Sequence, residues 1–267
     1  MNLITILIPT YHRPEALAVL LTSLYFQTEK GYKIIISDQS KDNCNENSVS
    51  LQTVINLHRS RGTFVTILKN LPTRGLAHQR QFLLDQTESK YCLYLDDDLI
   101  LESFVIKNLK DVLMKEQCGF TGNAVIGLSY LNDERSHEQA MELWEEKVKP
   151  ETVEPGTKEW LRYRLHNAAN ILHVQRHKRF HSEFPVPYKI AWVGGCVMYD
   201  TEKLRDVGGF SFWRDLPVNH CGEDVLAQLR VMKKYGGCGV IPSGAYHQEL
   251  ETTVHDRGIN APEYLKI

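Results

Sequence analysis

Short apolar stretches alternate with amphipathic ones through the first 115 residues. Leu3 to Ile8 (LITILI) is continuously apolar, as a strand buried on both faces would be. Pro14 stands at a natural first helical position, and Leu17, Leu20, Leu21 and Leu24 recur at three- and four-residue spacing. Tyr32 to Ser37 (YKIIIS) predicts a second strand, a helix is expected around residues 48–58, and a third strand over residues 63–68. A further helix runs to about Gln86, Tyr91 to Leu95 forms a fourth strand, and Phe104, Val105, Leu109, Val112 and Leu113 mark another helix. This β-α alternation predicts an α/β domain with a mostly parallel sheet flanked by helices. Such sheets bind ligands at the carboxyl ends of their strands. The polar loops after Ile8, Ser37 and Leu95 all fall at that edge.

From Tyr130 to Pro187 the alternation lapses. The acidic segment NDERSHEQAMELWEEKVK reads as helical, and Leu161, Leu165, Ala168, Ala169 and Leu172 form the stripe of a second helix. His166, His173 and His177 flank that stripe, near Arg176, Lys178, Arg179 and His181. Imidazoles at this spacing can bind metal, but no cysteine or carboxylate partner accompanies them. A solvated basic face is the commoner explanation, and a surface for an anionic acceptor such as a diphosphate-linked lipid lies between the two. The pattern resumes with AWVGGCVMYD, where Gly194-Gly195 inside a strand-like run marks a close approach by ligand or backbone. Cys221-Gly222-Glu223-Asp224 opens a helix carrying Val225, Leu226, Leu229 and Met232, a short strand ends at Pro242, and His247 follows in a polar tail.

The composition is ordinarily globular: 267 residues, 42% hydrophobic, 24% charged. A net charge of -2 provides no basic field for nucleic acid. No apolar run approaches the ~20 residues of a membrane helix. The start of the chain enters a strand at once, without a signal peptide's basic and cleavage regions. Six scattered cysteines without a CxxC pair argue against a zinc or disulfide framework, so a cytoplasmic location is expected, extending to the inner face of the membrane.

Candidate chemistry centres on YCLYLDDDLIL, residues 91–101. Burying an uncompensated charge costs several kcal/mol, so three carboxylates at a strand's end imply a cationic partner. Alternation would send Asp96 and Asp98 to one side and Asp97 to the other. Oxygen ligands of this kind suit Mg²⁺ or Mn²⁺, with substrate phosphates completing the shell. The plain alternative is an acidic turn in which Asp98 or Ser103 caps the next helix.

In their order and separation, LITILIPTYHRPEALAVLLTSLYFQ, IIISDQSKDN, NLPTRGLAHQRQ, YLDDDLIL, WVGGCVMY, VGGF, GEDVLAQLR and His247 resemble the family 2 glycosyltransferases with the GT-A fold. The resemblance covers about the first 125 residues and roughly 190–250. It implies one GT-A (Rossmann-like) domain over residues 1–267. A nucleotide-sugar half (1–125), a helical insertion (130–188) and an acceptor-binding, catalytic half (189–250) would compose it. Donor contacts would come from Pro9, Thr10, Tyr11, Arg13, Asp38, Arg74, Arg80, Asp96 and Asp97. Asp98, Asp96 and His247 would hold Mn²⁺ or Mg²⁺, and Trp192, Gly194 and Gly195 would meet the acceptor. Asp224 matches the family's base, with Glu223 orienting it or the acceptor.

The implied reaction is inverting transfer of one sugar from a nucleotide diphosphate sugar to an acceptor hydroxyl. A UDP-sugar is the foremost donor, ahead of GDP- and dTDP-sugars. The acceptor would be a glycan or lipid-linked molecule in bacterial cell-surface glycan assembly, with peripheral membrane contact. Two departures stand out: Gln39 replaces a usual glycine after Asp38, and the QxxRW element of processive synthases is missing. A sugar-phosphate nucleotidyltransferase would carry a Gly-rich phosphate loop where PTYHRP stands. A non-catalytic glycan- or nucleotide-binding module would not need Asp96, Asp98, Asp224 and His247 together.

Overall fold

The computed structural model describes residues 3–177 and 185–265, so Lys178, Arg179 and His181 of the basic run lie outside the described residues. The first half is built from β1 (Ile4–Thr10), α1 (Pro14–Tyr25), β2 (Tyr32–Asp38), α2 (Cys44–Asn47), α3 (Val49–Ser60), β3 (Val65–Lys69), α4 (Leu76–Asp85) and β4 (Tyr91–Leu95). There follow β5 (Leu99–Leu101), α5 (Val105–Glu116), β6 (Phe120–Gly122), β7 (Val125–Gly127), α6 (Asn170–His177), β8 (Val186–Tyr188) and β9 (Cys196–Asp200). The chain continues through α7 (Thr201–Asp206), α8 (Glu223–Tyr235), β10 (Gly237–Ile241), β11 (Ala245–His247) and α9 (Ala261–Tyr264). Among the described residues the main sheet has the order β3-β2-β1-β4-β9-β6-β10-β8, and a small sheet has the order β5-β11-β7.

The continuous apolar strands are buried on both faces, as their composition requires. Ile6, Ile8, Ile34, Ile36, Leu93 and Leu95 pack on one side against α1, α3 and α5. Leu7, Ile35, Cys92 and Tyr94, the alternate positions, pack on the other side against α4 and α8. Strands β3, β2, β1 and β4 run parallel. Strand order reverses between β1 and β4, and at such a switch point the connections leave in opposite directions and open a crevice. Thr10 and the Asp96–Asp98 turn stand at its lip.

Four local expectations need correction. Residues 132–149 are not an α-helix; only Ser136–Glu138 make a 3-10 turn. Met141 packs with one core layer while Trp144 and Val148 pack with the other, and Leu143 bridges to Tyr188 on the edge strand. A segment wrapped around a sheet edge contacts both layers, which one helical face cannot do. The second predicted helix is broken into a 3-10 stretch, Glu159–His166, and α6. Ala168 lies between them at φ +54°, where its carbonyl accepts the Gly127 N–H at 3.0 Å. Asp96–Asp98 form a turn into β5 rather than continuing β4, and α5 is preceded by Phe104 without a side-chain cap. Finally, His247 ends a strand, paired with Leu99 next to Asp98. The histidines of the insertion do not converge: His166 Nε2 meets the Tyr188 hydroxyl at 3.0 Å, His173 Nε2 the Leu131 carbonyl at 3.0 Å, and His177 lies 3.7 Å from Glu134.

One buried side chain fixes the loop before β9. Gln228 of α8 accepts the Val193 N–H at 2.9 Å and donates to the Val193 carbonyl at 2.7 Å. Gln228→Ala would strand both backbone groups in the core. An unpaired buried polar group costs about 1–3 kcal/mol, so urea denaturation of this variant should show a loss of at least about 2 kcal/mol.

Candidate active site

A cavity of about 500 Å³ opens at the switch point. Pro9, Thr10, Tyr11 and Arg13 wall it from the end of β1, Asp96, Asp97 and Asp98 from the end of β4, and Glu223 and Asp224 from the start of α8. Gly194, His247 and the segment from Leu250 to Arg257 complete it. A second hollow of about 300 Å³ shares Asp96, Gly194, Asp224 and His247 with the first, and its further lining includes Tyr163, His166, Asn167, Trp192 and Gly195. Here the Tyr163 and Trp192 rings stack at 16° with centroids 5.1 Å apart.

Arg80 holds the carboxylates together. Its Nε donates to Glu223 at 2.9 Å and its Nη2 to Asp96 at 2.9 Å. Burial opposes the guanidinium's charge, but Asp96, Glu223 and Asp224 outweigh that and hold its pKa above the ordinary value. Among the described residues no side chain donates a hydrogen bond to Asp224. Burial, then the Glu223 charge, push its pKa up to about 7, with Arg80 pulling the other way. A carboxylate at that value is poised to accept a proton near neutrality.

The Asp triplet divides its contacts. Asp97 accepts the Thr10 hydroxyl at 2.6 Å and Arg13 at 3.3 Å; burial raises its pKa to about 6, the Thr10 bond working against the rise. Asp98 accepts Arg13 Nη1 at 2.8 Å and lies 3.4 Å from His247 Nε2. Arg13 also donates to the Glu251 carbonyl, tying the late segment over the cavity. Gly195 lets the chain pass Asp96: the Asp96 N–H donates to its carbonyl at 2.9 Å, its φ is +74°, and a Cβ would stand 3.2 Å from the Asp96 carboxylate.

The triplet can be tested as a divalent-metal site. Neighbouring ligands at bonds of about 2.0–2.1 Å in octahedral geometry lie ~3 Å apart, near the Asp98–His247 separation of 3.4 Å. The Asp98 carboxylate, on a roomy polar cavity, suits such an ion, with positions left for phosphate oxygens. His247 as oriented does not: its Nδ1 accepts the Glu249 N–H at 2.7 Å, which puts the neutral ring's proton on Nε2, facing Asp98. Asp98 is thus placed to meet such an ion, His247 only with its ring turned, while Asp96 is bonded to Arg80 at 2.9 Å. The exposed His12 and Asp42 and the half-buried Cys44 form a separate group of metal-ligating types.

Two expected donor residues stand apart from the cavity. Asp38 is fully buried, accepting Lys69 Nζ at 2.8 Å and the Ser40 N–H at 2.8 Å. Arg74 is exposed, 5.8 Å from the Trp213 ring. Conversely, Gln79 and the 250–257 wall had no place in the sequence reading. Gln79 donates to the Thr10 and Ser37 carbonyls at 3.1 and 2.6 Å, joining the ends of β1 and β2. Its position on α4 beside Arg80 was the available signal; the late wall has no periodicity to betray it.

A mixed sheet of this kind, with an acidic turn after β4 facing a Glu-Asp helix start, is the GT-A arrangement of glycosyltransferases. The solved structure of S. aureus TarS 1-349 with UDP-GlcNAc matches with a TM-score of 0.59 and 14% identity, over 94% of this chain and 60% of that one. The mannosyltransferase PcManGT from Pyrobaculum calidifontis, in complex with GDP-Man and Mn²⁺, matches with a TM-score of 0.60 and 14% identity, over 95% and 59%. The chain thus spans about 60% of the length of these structures. No curated protein sequence matches it. The family model for glycosyl transferase family 2 matches residues 5–178, more than half of the sequence, and the chain belongs to that family.

Replacing Arg80 by Met should show what gathers this site. Removing one partner of a buried ion pair costs roughly 3–5 kcal/mol, and the carboxylates left behind can recover part of it by taking up protons. Denaturation of Arg80→Met should therefore show a loss in that range at pH 8 and a smaller one at pH 5.

Proposed function

We propose that this protein transfers one sugar from a nucleotide diphosphate sugar to an acceptor hydroxyl with inversion, in assembly of a cell-surface glycan or glycoconjugate. The observation that carries this reading is that Asp224, the acidic triplet and a second, aromatic-walled hollow meet at one place. The donor's diphosphate would lie along Asp96–Asp98 and Arg13, and its sugar would face Asp224. With Asp38 committed to Lys69, the base would meet Tyr11 and Gln39, which line an adjoining hollow of about 360 Å³. Gln39 is buried, and its amide nitrogen has no hydrogen-bond partner among the described residues.

Mn²⁺ or Mg²⁺, held by Asp98, would supply charge neutralisation for the departing diphosphate. The rest is the work of this chain. Trp192 and Tyr163 offer an apolar face to a sugar ring of the acceptor, and Gly194 and Gly195 leave room for its hydroxyl. Asp224 takes the proton of that hydroxyl as its oxygen attacks the anomeric carbon from the side opposite the leaving group. Displacement from one face requires no second nucleophile. Arg80 fixes Glu223 and Asp96 by a hydrogen bond of 2.9 Å to each, without taking up Asp224.

Incubation with a panel of UDP-, GDP- and dTDP-sugars and Mn²⁺ should release nucleoside diphosphate from one of them. A binding module would release none, and a nucleotidyltransferase would act on a nucleoside triphosphate instead. Asp224→Asn should retain donor binding in calorimetry while transfer falls by a factor of ~10² or more. The base must be unprotonated to act, so wild-type kcat/KM should rise through about pH 7 and level off above it. Equal loss of donor binding in the variant, or a rate that falls across that interval, would remove Asp224 from the role.

A further inference from the structure

Outside the cavity, the loop after β1 and the loop after β2 bring three ligands of different chemistry together. His12 Nδ1 lies 3.3 Å from Asp42 Oδ1 and 3.6 Å from Cys44 Sγ, and the three donor atoms all fall within 4.8 Å of one another. We propose that His12, Asp42 and Cys44 form a second metal site, distinct from the Asp triplet, that takes Zn²⁺ with water as the fourth ligand.

The separations carry the assignment. Tetrahedral zinc has bonds of about 2.3 Å to sulfur and about 2.0–2.1 Å to nitrogen and oxygen. Those bonds place a sulfur and a nitrogen ligand ~3.6 Å apart and a nitrogen and an oxygen ligand ~3.3 Å apart, the two edges found here. A mixed S, N, O set selects a borderline-soft ion such as Zn²⁺ over Mg²⁺.

The scaffold under the ligands is built in the same way. The His12 N–H donates to Ser40 Oγ at 2.8 Å, and the Cys44 N–H donates to Asp42 Oδ1 at 3.3 Å. Lys69 Nζ donates to the Asp42 carbonyl at 2.6 Å and the Ser40 carbonyl at 3.2 Å while paired with Asp38. Binding ionises Cys44: its thiol proton passes to solvent and the thiolate lone pair goes to the metal. His12 stays neutral and ligates through Nδ1. The ion would cross-link the β1–α1 and β2–α2 loops, and Tyr11, which walls the donor cavity, adjoins His12. The site thereby clamps one wall of that cavity, and it stands whether or not the transferase reading does.

Cobalt replaces zinc at such sites and reports a thiolate ligand by a charge-transfer band in the near ultraviolet. The metal-stripped full chain should develop this band with one equivalent of Co²⁺ and lose it on adding Zn²⁺. Cys44→Ser should abolish the band, whereas Cys221→Ser, which alters the thiol at the donor cavity, should retain it. Zn²⁺ should raise the Tm of the wild type and leave that of Cys44→Ser unmoved. No band at one equivalent, a band that survives Cys44→Ser, or a band that depends on Cys221 would each overturn the site.

Discussion

Arg80 is the charge around which Asp96, Glu223 and Asp224 gather. Its guanidinium lies inside the protein, reached from α4, and bonds Glu223 at the start of α8 and Asp96 at the end of β4. Without it, Glu223, Asp224 and Asp96 would bring like charges together at a half-buried place, and one or more would stay protonated. With it, Glu223 and Asp96 are paired, and the remaining repulsion falls on Asp224. A buried ion pair is seldom more stabilising than well-packed apolar side chains. Its presence here is therefore explained by what it gathers: two acids held in place beside a third left free to exchange a proton.

The sheet delivers these groups by its order. Because β4 lies next to β1 rather than following β3, Thr10 and Arg13 from the first loop reach Asp97 and Asp98 across the switch point. Strand β9 runs antiparallel beside β4, so its leading loop brings Gly194 and Gly195 back to the same edge. Gln228 pins that loop to the helix that carries Asp224. The two hollows thus share a wall, and Asp224 lines both.

Much of this was legible in the residues. Long apolar runs marked β1, β2 and β4 because strands buried on both faces have few polar positions, and the Asp triplet stood out because uncompensated carboxylates do not gather without cause. Other parts depended on contacts far apart in sequence. Asp38 looked available until Lys69, on the neighbouring strand, was placed 2.8 Å away. Residues 132–149 have helix-favouring composition, yet edge packing on both core layers overrides that propensity. His247 read as part of a tail because a three-residue strand carries no periodic signal, and its pairing with Leu99 exists only in the fold.

Diffraction from crystals soaked with Mn²⁺ and UDP or GDP, recorded at the manganese absorption edge, tests the account most directly. It predicts an anomalous peak at the Asp98 carboxylate, the diphosphate beside it, and Asp224 across the same hollow with no phosphate between. A diphosphate bound away from Asp96–Asp98, or one lying against Asp224 so that no acceptor could reach it, would contradict the account.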